Sequence, residues 1–316
     1  MLLKMIYYTH SKTIAMQRIQ DCATRSKCQL LAQVNGLEFS TTEELTDFID
    51  KWTDRYRLKM TPKQRFDAKK KGQPTFDLLV YLPLSYDDPF TQHLIEMAKD
   101  DPTQFKEEDF DILHQGTAYA PIKFYLFCNI DSEKVSTESI SSSRLTEMLR
   151  KQIDGCEHFG YIHENEVKID GYEFVRLTQS KSLVDEIEGR TKNKYDWTWR
   201  LSKETYGNIQ KAGEQLINRF HQITDKTDDE KKAYFEKHLK IFESLSGFRG
   251  VRKQIGQMYN AEKRSMKRKY GEKSLQYYRP LRLIYMQRSK NSIPTNSDPQ
   301  ELYKWIASVI LTSAKK

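Results

Sequence analysis

The chain has 316 residues, of which 38% are apolar and 12% aromatic, a composition that folds and excludes a wholly disordered protein. Charged residues reach 30% and the formal net charge is +8, while no run of about 18 apolar residues occurs, which argues against a membrane span. The opening MLLKMIYYTH has too short an apolar run for a secretory signal. The four cysteines are too sparse for a disulfide framework, so reduced thiols and a cytoplasmic location are expected.

In chain order, Leu2–Tyr8 reads as a strand and Ser11–Arg25 as a helix with Ile14, Ile19, Cys22 and Ala23 at helical spacing. Gln29–Val34, Asn35-Gly36 and Leu37–Phe39 read as a hairpin, because Asn-Gly suits both left-handed positions of a type I′ turn. Thr41 and Glu44 form a capping box ahead of a stripe of Leu45, Phe48, Ile49, Trp52 and Tyr56. Thr61-Pro62 starts a short helix carrying Lys63, Arg65 and Phe66, and Phe76–Leu82 is a strand. The order β-α-β-β-α-β is that of a ferredoxin-like unit over residues 1–86.

Residues 87–120 are expected to form an acidic helical connector, and residues 121–201 a second α/β unit of similar order. That unit has a strand at Phe124–Cys128 and a helix at Ser143–Ile153 with Leu145, Met148 and Leu149 inward. Strands at His158–His163 and Tyr172–Thr178 flank the turn Ile169-Asp170-Gly171, before a short helix at Ser182–Glu188 and a strand at Tyr195–Leu201. From residue 202 to 316 the pattern is helical. Thr227 and Glu230 cap one helix, a Gly-Phe-Arg-Gly break follows at 247–250, and Asp298-Pro299 opens a last helix. The fold class expected is α+β, with one or two ferredoxin-like units and a helical basic module of winged-helix or helix-turn-helix layout.

Charge is segregated along this chain. Residues 249–290 hold 13 Lys/Arg against two Glu, and residues 55–71 hold eight against one Asp, leaving the remainder net acidic. Segregation of this kind suits a polyanionic partner. On a helix from Phe248 to Tyr270, at about 100° per residue, the cations Arg249, Arg252, Lys253, Lys263, Arg264, Lys267 and Arg268 share one side. Phe248, Val251, Ile255, Met258, Tyr259 and Met266 share the other, with Lys269 among them. Such a helix docks by one face and releases counterions from a phosphate backbone with the other. Arg279, Arg282 and Arg288 around Tyr285 extend the basic surface, and Lys63, Arg65, Lys69, Lys70 and Lys71 form a second one. The expected partner is therefore nucleic acid, DNA before RNA, bound as a non-catalytic component of a nucleoprotein assembly such as replication, mobile-element or defence machinery. Further protein partners in such a complex are expected, and no membrane.

Rival readings follow from the same residues. A basic amphipathic helix also suits an acidic protein partner, the chain's own acidic 87–111 stretch, or an anionic membrane surface. Gly247-x-x-Gly250 matches a backbone-clamping KH loop except where Lys253 replaces an apolar residue. A DNA-processing enzyme would need a tyrosine nucleophile, for which Tyr259, Tyr270, Tyr277, Tyr278 and Tyr285 are available, or a metal site. Cys156-x-His158 with His163 and Glu164 matches no standard zinc spacing, and no metal or other cofactor is expected. No P-loop, GxGxxG turn or GxSxG elbow occurs, which argues against nucleotide hydrolysis and esterase chemistry.

Overall fold

The computed structural model describes residues 6–9, 11–24, 28–83, 92, 114–115, 118–130, 141–178 and 195–283. These form two compact units that divide between Asn165 and Glu166. The acidic residues of the expected connector, the helix at 182–188, Tyr285, Arg288 and the closing helix after Asp298 lie outside the described residues.

The first unit is mixed α/β. Strands β1 (Ile6–Thr9), β2 (Leu30–Val34), β3 (Thr75–Tyr81), β6 (Lys123–Asn129) and β7 (Gly160–Tyr161) form one sheet in the order β1-β3-β6-β2-β7. The β1–β3 pair is parallel and the other pairs are antiparallel. Two short strands, β4 (His114–Gln115) and β5 (Ala118–Tyr119), make a separate ribbon where a helical connector was expected. Strand alternation sends Leu30, Ala32, Leu78, Val80, Phe124 and Leu126 into one core. Helices α2 (Thr42–Arg55) and α4 (Ser142–Arg150) cover that face with Leu45, Ile49, Trp52, Leu145 and Leu149. On the other face α1 (Lys12–Thr24) places Arg18 over the Tyr7 ring, and α3 (Pro62–Lys70) places Arg65 on Asp77.

Three expectations change here. The Asn35-Gly36 hairpin does not form: only Gly36 has a positive φ, and both edges of β2 are taken by β6 and β7. Phe39 is buried against Phe48 and Phe124 instead of pairing in a strand. The strand expected to open a second unit, β6, lies in the middle of this sheet, so residues 1–86 and 121–165 share one fold and the order is not that of a ferredoxin-like unit. Met148, expected inward, is 39% exposed, because the buried face of α4 is the arc of Leu145, Thr146 and Leu149, and Met148 falls outside it.

The second unit opens with a three-stranded antiparallel sheet of β8 (Lys168–Ile169), β9 (Tyr172–Thr178) and β10 (Tyr195–Leu201). Asp170 and Gly171, at φ 40° and 80°, make the two-residue turn between β8 and β9 that Asn35-Gly36 fails to make. Helices α5 (Lys203–Asn218), α6 (Asp228–Ser244) and α7 (Arg249–Tyr270) follow, with 3-10 turns at Phe220–Ile223 and Glu272–Tyr277. Thr227 and Glu230 form the full capping box expected of α6. Residues 281–283, expected to start a basic strand, have no regular structure.

Candidate nucleic-acid interface

Helix α7 is held at both ends. At its start a Cβ on Gly250 would come within 2.4 Å of the Trp199 carbonyl, so only glycine lets the first turn meet β10 this closely. The Gly250 N–H donates to the Thr198 hydroxyl at 3.2 Å, and the Gln254 amide pairs with both the N–H and the carbonyl of Leu201. Val251, Ile255, Met258 and Met266 are buried beneath, as the helical period requires. At the far end the Tyr270 hydroxyl donates to the Ile217 carbonyl at 3.0 Å, and Gly271 ends the helix at φ 79°.

With that face fixed, the cations fall on the other. Arg249, Lys253, Arg264, Lys267 and Arg268 are exposed; Arg252 and Lys263 are half-buried. The Arg252 guanidinium donates to the Gly247 carbonyl, and the Lys263 ammonium lies 5.4 Å from the Tyr259 ring centre. Lys267 pairs with Glu272 at 2.6 Å, but both side chains are more than half exposed, so the pair is weak and exchangeable. Lys269 is drawn away from the row to the Asn218 side chain. The one carboxylate of α7, Glu262, is buried. Between the cations at 249–253 and those at 263–268 the exposed positions are Gln257, Asn260 and Ala261, and the half-buried ones are Gln254, Gly256 and Tyr259.

Two arginines expected to touch phosphate do other work. Arg279 is clamped by Glu236 at 2.7 and 2.8 Å and by Glu243 at 2.5 and 2.9 Å, leaving it no fork for a ligand. Its side chain, with the Arg282 N–H at 2.7 Å, pulls the Glu243 carboxyl down to about 2. Arg65 makes a bidentate pair with Asp77 at 2.8 and 3.0 Å, and the Asp77 side chain is 4% exposed. Lys63, Lys69, Lys70 and Lys71 are exposed as expected, with Lys70 over the exposed Phe66 ring at 4.5 Å. Arg282 is also exposed.

The sequence pattern did not single out His238 and Glu262, which meet at 3.0 Å in the core of the second unit. Glu262 falls on the apolar side of the α7 wheel and His238 in the α6 stripe, which together were a readable sign of a buried pair.

The enzymatic rival finds little purchase on the described tyrosines. Tyr259, Tyr270 and Tyr277 donate to the Arg279 carbonyl, the Ile217 carbonyl and Asp228, and Tyr278 reaches Glu262 at 3.5 Å. Burial pushes the Tyr259, Tyr277 and Tyr278 hydroxyls up, away from the nucleophilic phenolate. Among the described residues no three His, Cys, Asp or Glu side chains gather as metal ligands. Among those residues, too, no helix is long and apolar enough to cross a membrane. No protein-family model, curated protein or solved structure matches the chain.

Proposed function

We propose that this protein binds duplex DNA and that α7 is its reading helix. The carrying observation is the layout of α7: exposed cations at both ends, the exposed Gln257, Asn260 and Ala261 between them, and its only carboxylate buried. Lys253 and Lys263 are ten residues apart, about 15 Å along a helix axis, comparable with the major-groove width of about 12 Å. The end clusters then meet the phosphate backbones on either side, while Gln257 and Asn260 face the base edges. Asparagine and glutamine pair with adenine in a bidentate way, and Gly256 allows close approach, since a Cβ there would meet nothing within 4 Å. The α6–turn–α7 order is that of a helix-turn-helix, with α7 as the second helix. Duplex RNA is disfavoured because its major groove is too deep and narrow for a helix. The exposed lysines of α3 are auxiliary backbone contacts. Binding serves assembly of a nucleoprotein complex and involves no catalytic step by this chain.

The test is a salt titration of binding to labelled duplex DNA, single-stranded DNA and duplex RNA, read by fluorescence anisotropy. Replacing Lys263, Arg264, Lys267 and Arg268 by Ala is expected to make the duplex-DNA salt slope shallower by about 3.5. Asn260→Ala is expected to leave that slope unchanged and to reduce discrimination among sequences. Absence of duplex binding near physiological salt, or an unchanged slope, would sink the reading and direct the search to an acidic protein partner.

A further inference from the structure

A cleft of about 480 Å³ opens in the first unit where α2, α3 and the loop after α4 converge. Arg55 and Arg57 from the end of α2 and Lys71 from the end of α3 line it, with the amides of Gln73 and Gln152 beside them. No carboxylate is among its described lining residues.

Lysine and arginine at helix ends ordinarily answer unpaired carbonyls. Here backbone N–H groups already do so. Leu58 donates to Thr53 at 2.9 Å and Arg57 to Asp54 at 3.3 Å, closing α2 in a Schellman turn. Gln73 donates to Ala68 and Gly72 to Lys69, both at 2.9 Å, closing α3 in the same way. The left-handed residue of the second turn is Gly72, at φ 69°, the usual choice there. In the first it is Arg57, at φ 51°. An arginine in that conformation is strained where glycine is not, and such strain is held where a side chain is needed at that spot.

Arg55 is also set in place. Its Nη1 donates to the Gly155 carbonyl at 2.9 Å, and a Cβ on Gly155 would press on the guanidinium at 3.2 Å. Gly155 itself sits at φ 64°, so the loop is shaped to receive that side chain. One donor of Arg55 is used this way, and a guanidinium has five.

We propose that this cleft binds a phosphate monoester. Such a group carries nearly two negative charges at neutral pH and three acceptor oxygens, which Arg55, Arg57 and Lys71 balance and the two glutamines complete. An internal backbone diester has one charge and two free oxygens, and leaves donors of this set unused. The chemistry is that of a nucleoside 5′-monophosphate or of the 5′-phosphate ending a strand. The assignment does not depend on the role given to α7.

Calorimetric titration of the full chain compares adenosine 5′-monophosphate with adenosine, and a 5′-phosphorylated tetranucleotide with its 5′-hydroxyl form. The phosphorylated member of at least one pair is expected to bind about tenfold more tightly. Preference within the mononucleotide pair alone identifies a free nucleotide as the source, and within the oligonucleotide pair alone a strand end. Arg57→Gly is expected to abolish the preference while raising the thermal midpoint, which separates lost binding from lost folding. Arg55→Ala with Lys71→Ala is expected to abolish it as well. The fourfold α7 alanine variant is expected to keep it. Equal binding within both pairs overturns the proposal, as does a preference that survives Arg57→Gly or disappears in the α7 variant.

Discussion

His238 of α6 and Glu262 of α7 meet in the core of the second unit, the histidine Nε2 lying 3.0 and 3.2 Å from the two carboxylate oxygens. The Tyr278 hydroxyl donates to the same carboxylate, and Gly213 of α5 makes room for it, since a Cβ there would overlap Oε1 at 2.0 Å. A buried pair of this kind is costly to break and much cheaper to replace whole. His238→Leu is therefore expected to destabilise the protein by about 3–5 kcal/mol, measured by urea unfolding. The double variant with Glu262→Leu is expected to lose less than the sum of the two single changes. Additive losses would show that the two side chains do not act together.

Acid stability is expected to report on Arg279. The Glu243 carboxyl is held down at about 2, first by the Arg279 guanidinium and then by the Arg282 N–H, and Arg279 lowers Glu236 as well. A carboxyl lower in the folded state than in the unfolded chain stabilises above the ordinary glutamate value and loses that contribution as pH falls toward 2. Unfolding midpoints measured from pH 7 down to pH 2 should therefore fall less steeply for Arg279→Ala than for the parent. An identical pH profile would contradict the clamp.

Arg65 and its lysine neighbours should separate cleanly. Arg65→Ala leaves Asp77 buried without its cation and is expected to cost about 3–5 kcal/mol of stability. Alanine at Lys63, Lys69 and Lys70 removes only exposed charges and should change stability by less than about 0.5 kcal/mol, while making the DNA salt slope shallower. Chemical unfolding and the salt titration read the two effects independently. A stable Arg65→Ala variant would put the arginine back among the ligand contacts.

The thiols Cys22, Cys28 and Cys128 are buried, and burial, with Asp77 nearby, pushes each of them up. A thiol so raised has almost no thiolate at neutral pH. Iodoacetamide is expected to leave all three unmodified in the native protein at pH 7.5 and to alkylate them after unfolding. Rapid native alkylation of any one would contradict the packing around β2 and β6.

Much of this was legible in the sequence. The caps at Thr41, Thr61 and Thr227 and the stripes of α2 and α7 are local signals that packing reinforces. The pairing of strands was not legible to the same degree. Asn35-Gly36 is a strong turn signal, but β6 and β7, distant in the chain, take the edges of β2. Asp170-Gly171 succeeds because no other strand takes the edge of β9 that faces β8. At the candidate interface, counting charge found the α7 row but could not see that Glu236 and Glu243 hold Arg279. Nor could it see that the first unit reaches from β1 to β7, because the sheet closes only when β6 enters its centre.

Helix α7 joins the β8–β10 sheet to α5 and α6, meeting β10 through Gly250 and Gln254 and α5 through Tyr270. At 22 residues it is long enough to make one rod of the whole unit. The sheet and the helices are therefore expected to melt as one body, so that a ligand gripping the exposed side of α7 would stabilise all of it by mass action. Occupancy at the cations would then be readable at the buried Trp199, whose carbonyl meets the first turn of α7.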